Sequence, residues 1–255
     1  MSPGRPLLVA LARALVVAGG AAAVVWGAQT GQLAWRHAGL SDAALRVASQ
    51  EPFKDGQLEA LEPKLEAVES EAFCAPKARH DVALIRLRLA EAAMLGGKRA
   101  AIEPALRRLD GAARSSLRCA PMDPVLWLAL YWVDAQLNGA RPDAVAPLEM
   151  SYRLGPNEGW IALRRSRYGL AAYEFVAPPT REAVLNEERA LLDAGFVREV
   201  ADNLTGPGWP IRDRVLARLA AAKAENRALL ARILRRDGYE IAVPGIALEE
   251  PRPWD

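Results

Sequence analysis

The sequence predicts an all-α protein, an N-terminal transmembrane helix followed by an irregular α-solenoid of helical hairpins. Three observations predict it. Residues 7 to 28 form an almost unbroken apolar run. The remainder is dominated by Leu, Ala, Arg and Glu and has few alternating runs of Val, Ile and Thr, a balance that favours helix over sheet. Apolar residues then recur at spacings of three and four between Gly and Pro breaks. With 51% hydrophobic and 25% charged residues, the composition is that of an ordinary globular chain. A net charge of +2 over 255 residues gives no electrostatic footprint for nucleic acid.

The apolar run comes first. Arg5 and Arg13 lie at or near its start, and no basic residue follows until Arg36. About 20 apolar residues cross a bilayer, and flanking basic residues stay in the cytoplasm. Residues 1–36 therefore read as a membrane anchor, with the useful span near residues 14–33. The expected topology is single-pass in the cytoplasmic (inner) membrane, N-terminus inside and C-terminal domain periplasmic. Arg13 would cost about 2.5–3.5 kcal/mol at the membrane centre and less at the edge, where it can snorkel. A cleaved signal peptide is the rival reading. Ala21-Ala22-Ala23 fits the cleavage pattern, but the core before it is short and apolar residues continue past it. Both readings export the rest. Gly19, Ala23, Gly27 and Gly31 recur every four residues. Such a stripe lets two transmembrane helices approach and makes the span a candidate oligomer contact. A stretch this rich in Ala and Gly also produces the pattern by composition alone.

Residues 37–78 read as a connector and an acidic helix. After a connector at residues 37–40, Ser41 can cap a short helix to about Ser49, and Glu51-Pro52 breaks it. Leu58, Leu61, Leu65 and Val68 form a helical stripe, with Pro63 as a kink or a first-turn residue. The other face carries Glu59, Glu62, Glu66, Glu69 and Glu71. Residues 79–238 read as the helical-repeat domain. It opens with a hairpin: a helix over 79–95, a stop at Gly96-Gly97 and a helix over about 99–118. The second helix has a basic face of Arg99, Arg107, Arg108, Arg114 and Arg118. These acidic and basic faces read as solvated, or as a salt-bridge seam. The alternative is a docking patch for an anionic partner.

Cys74 and Cys119 are the only cysteines, and each precedes Ala-Pro. Their midpoint falls at Gly96-Gly97, so folding the hairpin there brings them together. In the oxidising compartment that the N-terminus implies, the pair reads as a disulfide. Closing a loop of about 45 residues stabilises by roughly 3–4 kcal/mol on the chain-entropy model. Two buried thiols are the alternative.

The segment Ser116-Leu117-Arg118-Cys119-Ala120-Pro121 aligns with Ser151-Tyr152-Arg153-Leu154-Gly155-Pro156, about 35 residues on. Between them the chain reads helix, turn, helix, with Leu126, Trp127, Leu130, Tyr131 and Val133 packing the first helix. Asn138-Gly139 forms the turn, and Pro142 starts a second helix lined by Val145, Leu148 and Tyr152. Here the chain resembles a tetratricopeptide repeat. Gly139, Ala144, Leu148, Ser151 and Pro156 stand at that family's spacings, while Trp132 occupies a position that is normally small. The resemblance covers about 35 residues and implies protein–protein interaction along a groove. Leu126, Ala129 and Val133, which should face that groove, read as core instead.

Further helices are expected over 160–175, from a Thr180 cap to Asp193, over 196–204, over about 211–222 and over 225–236. Thr205-Gly206-Pro207-Gly208-Trp209-Pro210 is the most distinctive loop. Trp209 reads as a core plug at a rigid corner, with a contact platform for sugar or peptide as the alternative. Residues 239–255 read as a Pro-rich, extended tail.

No metal-ligand spacing, phosphate loop or nucleophile motif stands out, and His37 and His80 are the only histidines. Glu187-Glu188 reads as an exposed helix face. No catalytic residue, metal or cofactor is expected. As a whole, an anchor followed by irregular tetratricopeptide-like helices with the Leu154-Gly155-Pro156 and Gly206-Pro207-Gly208-Trp209-Pro210 elements resembles accessory proteins of bacterial envelope or exopolysaccharide export systems. That likeness implies a membrane-anchored periplasmic scaffold whose partners are the membrane and other envelope proteins. The alternatives are a soluble periplasmic binding module released by cleavage and an envelope glycan-acting enzyme.

Overall fold

The structure, a computed structural model, describes residues 4–247. The described residues form eleven α-helices and three short 3-10 turns, with no strand among them. The chain divides into two compact units, residues 1–89 and 90–255.

The first unit is organised by α1 (Gly4–Ala48), a single helix of 45 residues. Within it, Ala10–Gly31 is long and apolar enough to cross a membrane, and none of it is buried. At 1.5 Å per residue these residues span about 33 Å, close to the ~30 Å hydrocarbon core of a bilayer. The expected connector at residues 37–40 is helix instead. No proline lies between Pro6 and Pro52, and a single Gly39 weakens a helix without ending it. Ser41 therefore sits mid-helix. It is not a cap, and its hydroxyl donates to the Asp81 carboxylate at 2.7 Å. Leu40, Ala43, Ala44 and Val47 recur at helical spacing and are all buried. The chain turns at Gln50, which has a left-handed φ of 57°.

A 3-10 turn leads into α2 (Glu62–Ser70), where Pro63 occupies the first turn and its missing N–H costs nothing. Leu65 and Val68 form its buried face. The helix α3 (Pro76–Leu95) follows, and the boundary between the units falls inside it.

The second unit contains α4 (Arg99–Cys119), α5 (Pro124–Asn138), α6 (Ala146–Leu154) and α7 (Gly159–Ala171). After these come α8 (Pro178–Asp193), α9 (Val197–Thr205), α10 (Arg212–Leu219) and α11 (Ala224–Arg236). Asp123 caps α5, accepting from the Val125 and Leu126 amides, with Pro124 preset as the first helical residue. Gly139, at φ +80°, ends it. The next α-helix starts at Ala146, not at Pro142, which instead opens a 3-10 turn. Pro147 has no N–H to bond the Asp143 carbonyl, and in a helix that restarts at Ala146 it falls in the first turn, where that missing N–H costs nothing. Likewise α8 starts at Pro178, two residues before the expected Thr180 cap, because two prolines are well suited to a first turn. Thr180 is buried and makes no capping bond.

Neighbours in sequence pack together: α4 with α5, α5 with α6, α7 with α8, and α8 with α9. Helices two apart also touch: α5 with α7, α6 with α8, α7 with α9, α8 with α10, and α9 with α11. Leu126, Ala129 and Val133 of α5 are buried, as a core reading of them requires. After α11 the described tail has no regular element, but Val243 is buried and Arg227 donates to the Pro244 carbonyl. The remainder of the expected tail lies outside the described residues.

Candidate functional site

In the first unit, buried charge joins the helices. Arg86 on α3 is almost wholly buried and holds two carboxylates of the acidic helix, Glu62 and Glu69. Its Nη1 donates to Glu62 Oε2 at 2.7 Å, and its Nε and Nη2 donate to Glu69 at 2.8 and 3.0 Å. Burial opposes the charge on Arg86, yet its bonds to Glu69 and Glu62 outweigh that cost and raise its pKa. The acidic face of α2 thus finds its cation on α3. On α4, Arg107 and Arg114 pair within their own helix, with Glu103 and Asp110. Asp81, next to His80, accepts from Ser41 and from Lys77 at 2.9 Å, which ties α3 to α1. His37 on α1 lies 3.2 Å from Glu71.

Cys74 and Cys119 form a disulfide. It joins the residue two before α3 to the last residue of α4, the pairing that the symmetry about Gly96-Gly97 predicts. Gly19, Ala23, Gly27 and Gly31 lie on the exposed part of α1. A Cβ added to any of the three glycines would meet no atom within 4 Å, so these glycines pack on nothing among the described residues.

In the second unit, a sealed polar cluster lies beneath a groove between α6 and α8. Arg165 of α7 is fully buried. Its guanidinium donates to the Ser151 carbonyl (2.7 Å) and hydroxyl (3.3 Å), to the Gly155 carbonyl (3.1 Å) and to Glu187. It also stacks 4.0 Å from the centre of the Tyr152 ring. The opposite edge of that ring needs Gly169, where a Cβ would lie 2.2 Å from the Tyr152 hydroxyl. Glu187 and Glu188, read from sequence as an exposed pair, are both buried. Burial raises the pKa of Glu187 against the pull of Arg165. Burial, then the charge of Glu187, pushes Glu188 up to about 8. Glu188 Oε1 accepts from Asn203, which also donates to Ser166, while Oε2 has no partner.

The groove above this cluster is open, about 510 Å³ in volume, and largely apolar. Met150, Tyr152, Pro179 and Ala183 line it, with Glu149 and Arg153 as its charged members. Glu149 accepts from the Ala177 amide at 2.6 Å, so it also fixes the start of α8. A second groove of about 350 Å³ lies between α4 and α5, lined by Arg114, Arg118, Leu117 and Trp127.

The repeat-signature residues fall on this framework in different ways. Leu148 and Ser151 are fully buried, and Ser151 is an acceptor for Arg165. Gly139 supplies the positive φ after α5, Ala144 lies in the 3-10 turn, and Pro156 is exposed beyond α6. Trp209 is not the core plug of its loop: it is exposed, while Gly208 beside it and Ile211 just after the loop are buried. Its ring lies 5.7 Å from that of Tyr239, tilted by 55°, with Arg212 4.8 Å from its centre. Gly206 and Gly208 are required, since a Cβ on either would come within 3.0 Å of a backbone oxygen. Tyr239, thirty residues away, is a partner that sequence spacing does not reveal.

Among the described residues, no group of three or more His, Cys, Asp or Glu side chains is placed to hold a metal ion. No protein-family model matches the chain, and comparison with curated proteins and with solved structures finds no significant match.

Proposed function

We propose that this protein is a membrane-anchored scaffold. In this reading its N-terminus is cytoplasmic, and its exported helical domain docks other envelope proteins without catalysing a reaction. The observation that carries the reading is α1. Its exposed apolar stretch, Ala10–Gly31, continues without a break into buried Leu40, Ala43, Ala44 and Val47. One helix is thus both span and structural element, which favours retention over removal at Ala21-Ala22-Ala23. The position of Arg5 and Arg13 supports the orientation, and the disulfide supports an oxidising compartment.

The second unit supports the docking role. Contacts between successive helices, together with contacts between helices two apart, are the pattern of stacked helix pairs. We read α5–α11 as an irregular, tetratricopeptide-like solenoid with the α6–α8 groove as a docking surface. A part in envelope polysaccharide biosynthesis or export follows only from the resemblance of the sequence. The test is mild crosslinking in intact cells, then solubilisation of the membranes in detergent and recovery of the full-length protein. The same envelope proteins should be recovered each time, and fewer of them after Met150→Glu in the groove. If no partner recurs, the scaffold reading fails.

A further inference from the structure

We propose that the loop at residues 71–74 rests on the outer face of the membrane, with Phe73 in the headgroup layer alongside Trp35. The proposal rests on the reading of Ala10–Gly31 as a membrane span. Because α1 is continuous, it serves as a ruler for height above the bilayer. At 1.5 Å per residue, Trp35 lies about 6 Å beyond Gly31, and His37 about 9 Å. Each headgroup layer is roughly 5–7 Å thick. Trp35 is 82% exposed, as a belt residue at the membrane interface would be.

The loop is held at the level of His37, whose Nε2 lies 3.2 Å from Glu71 Oε1. Arg79 fixes its backbone from α3, donating to the Glu71 carbonyl at 2.5 Å and to the Phe73 carbonyl at 3.4 Å. The main chain is therefore pinned, yet the Phe73 side chain is 68% exposed. A large apolar ring on a backbone held at this height has the headgroup layer, whose outer edge lies about 2–4 Å below it, within a side chain's reach. Lys64 adds a cation nearby: its ammonium lies 3.3 Å from where a Cβ on Gly39 would sit. That is about 12 Å beyond Gly31, within reach of lipid phosphates. The occupant is lipid because the helix that crosses the bilayer also carries the loop.

The test uses the full-length protein in native membrane vesicles, with p-benzoylphenylalanine replacing Trp35, Phe73 or Leu45 in turn. Leu45 is also exposed but lies about 21 Å beyond Gly31. Irradiation should give lipid adducts at positions 35 and 73, several-fold above position 45. Lipid at 35 but none at 73, or only protein adducts at 73, overturns the proposal and leaves the span intact. Equal lipid labelling at 45 and 73 also overturns it. No lipid at 35 overturns the span reading and the proposal with it.

Discussion

Arg86 and Arg165 are both buried guanidiniums among acidic neighbours, one in each unit, and they differ in access to water. The partners of Arg86, Glu62 and Glu69, keep side-chain exposures of 28% and 32%. Two carboxylates gather around one guanidinium there with water still reaching both, so solvent screens the cluster. Around Arg165, Glu187 and Glu188 are sealed. One carboxylate balances Arg165, and the other keeps its proton up to about pH 8. The same residue types thus make a wet clamp in one unit and a proton-holding core in the other.

The largest expected effect is on pH dependence. The folded pKa of Glu188 is raised, so the folded state binds the extra proton. Its contribution is fully present below about pH 4.5, is lost as pH rises through about 8, and is flat beyond. A shift from 4.5 to about 8 corresponds to a loss on the order of 5 kcal/mol. Glu188→Gln should flatten this part of the profile in denaturant unfolding of the detergent-solubilised protein. A profile unchanged by Glu188→Gln would break the comparison.

Arg165→Met should come next, at about 3–5 kcal/mol of destabilisation, because it leaves Glu187 buried without its cation. Thermal unfolding with and without the substitution would measure it. Removing the disulfide, as Cys74→Ser with Cys119→Ser, should cost about 3–4 kcal/mol. Its pH profile should keep the slope that Glu188 imposes, which separates chain entropy from electrostatics. Arg86→Met should be mildest, at about 1–2 kcal/mol, since Glu62 and Glu69 can rehydrate. If Arg86→Met costs as much as Arg165→Met by the same assay, water access is not what separates the two clusters.

The parts legible in the sequence were those set by local pattern. The apolar run marked the span, Gly96-Gly97 marked a helix stop, and the equal spacing of the cysteines about it marked the disulfide. The helix through residues 37–40 was not legible, because the tertiary burial of Leu40 and its neighbours carries it past His37 and Gly39. Glu187-Glu188 misled because adjacent acids usually face water. Yet they stand three and four residues after Val184 and before Leu191, on a stripe that is buried. The partner of Trp209 was hidden for a different reason: Tyr239 reaches it only through the fold.

The central claim, an exported helical domain held on an uncleaved span, is tested most directly with right-side-out membrane vesicles. After an alkaline wash the full-length protein should remain in the membrane. Protease added outside should remove the C-terminal domain and leave a short N-terminal fragment containing Ala10–Gly31. A C-terminal domain protected from that protease, or a washed-off protein beginning near Val24, would contradict the account.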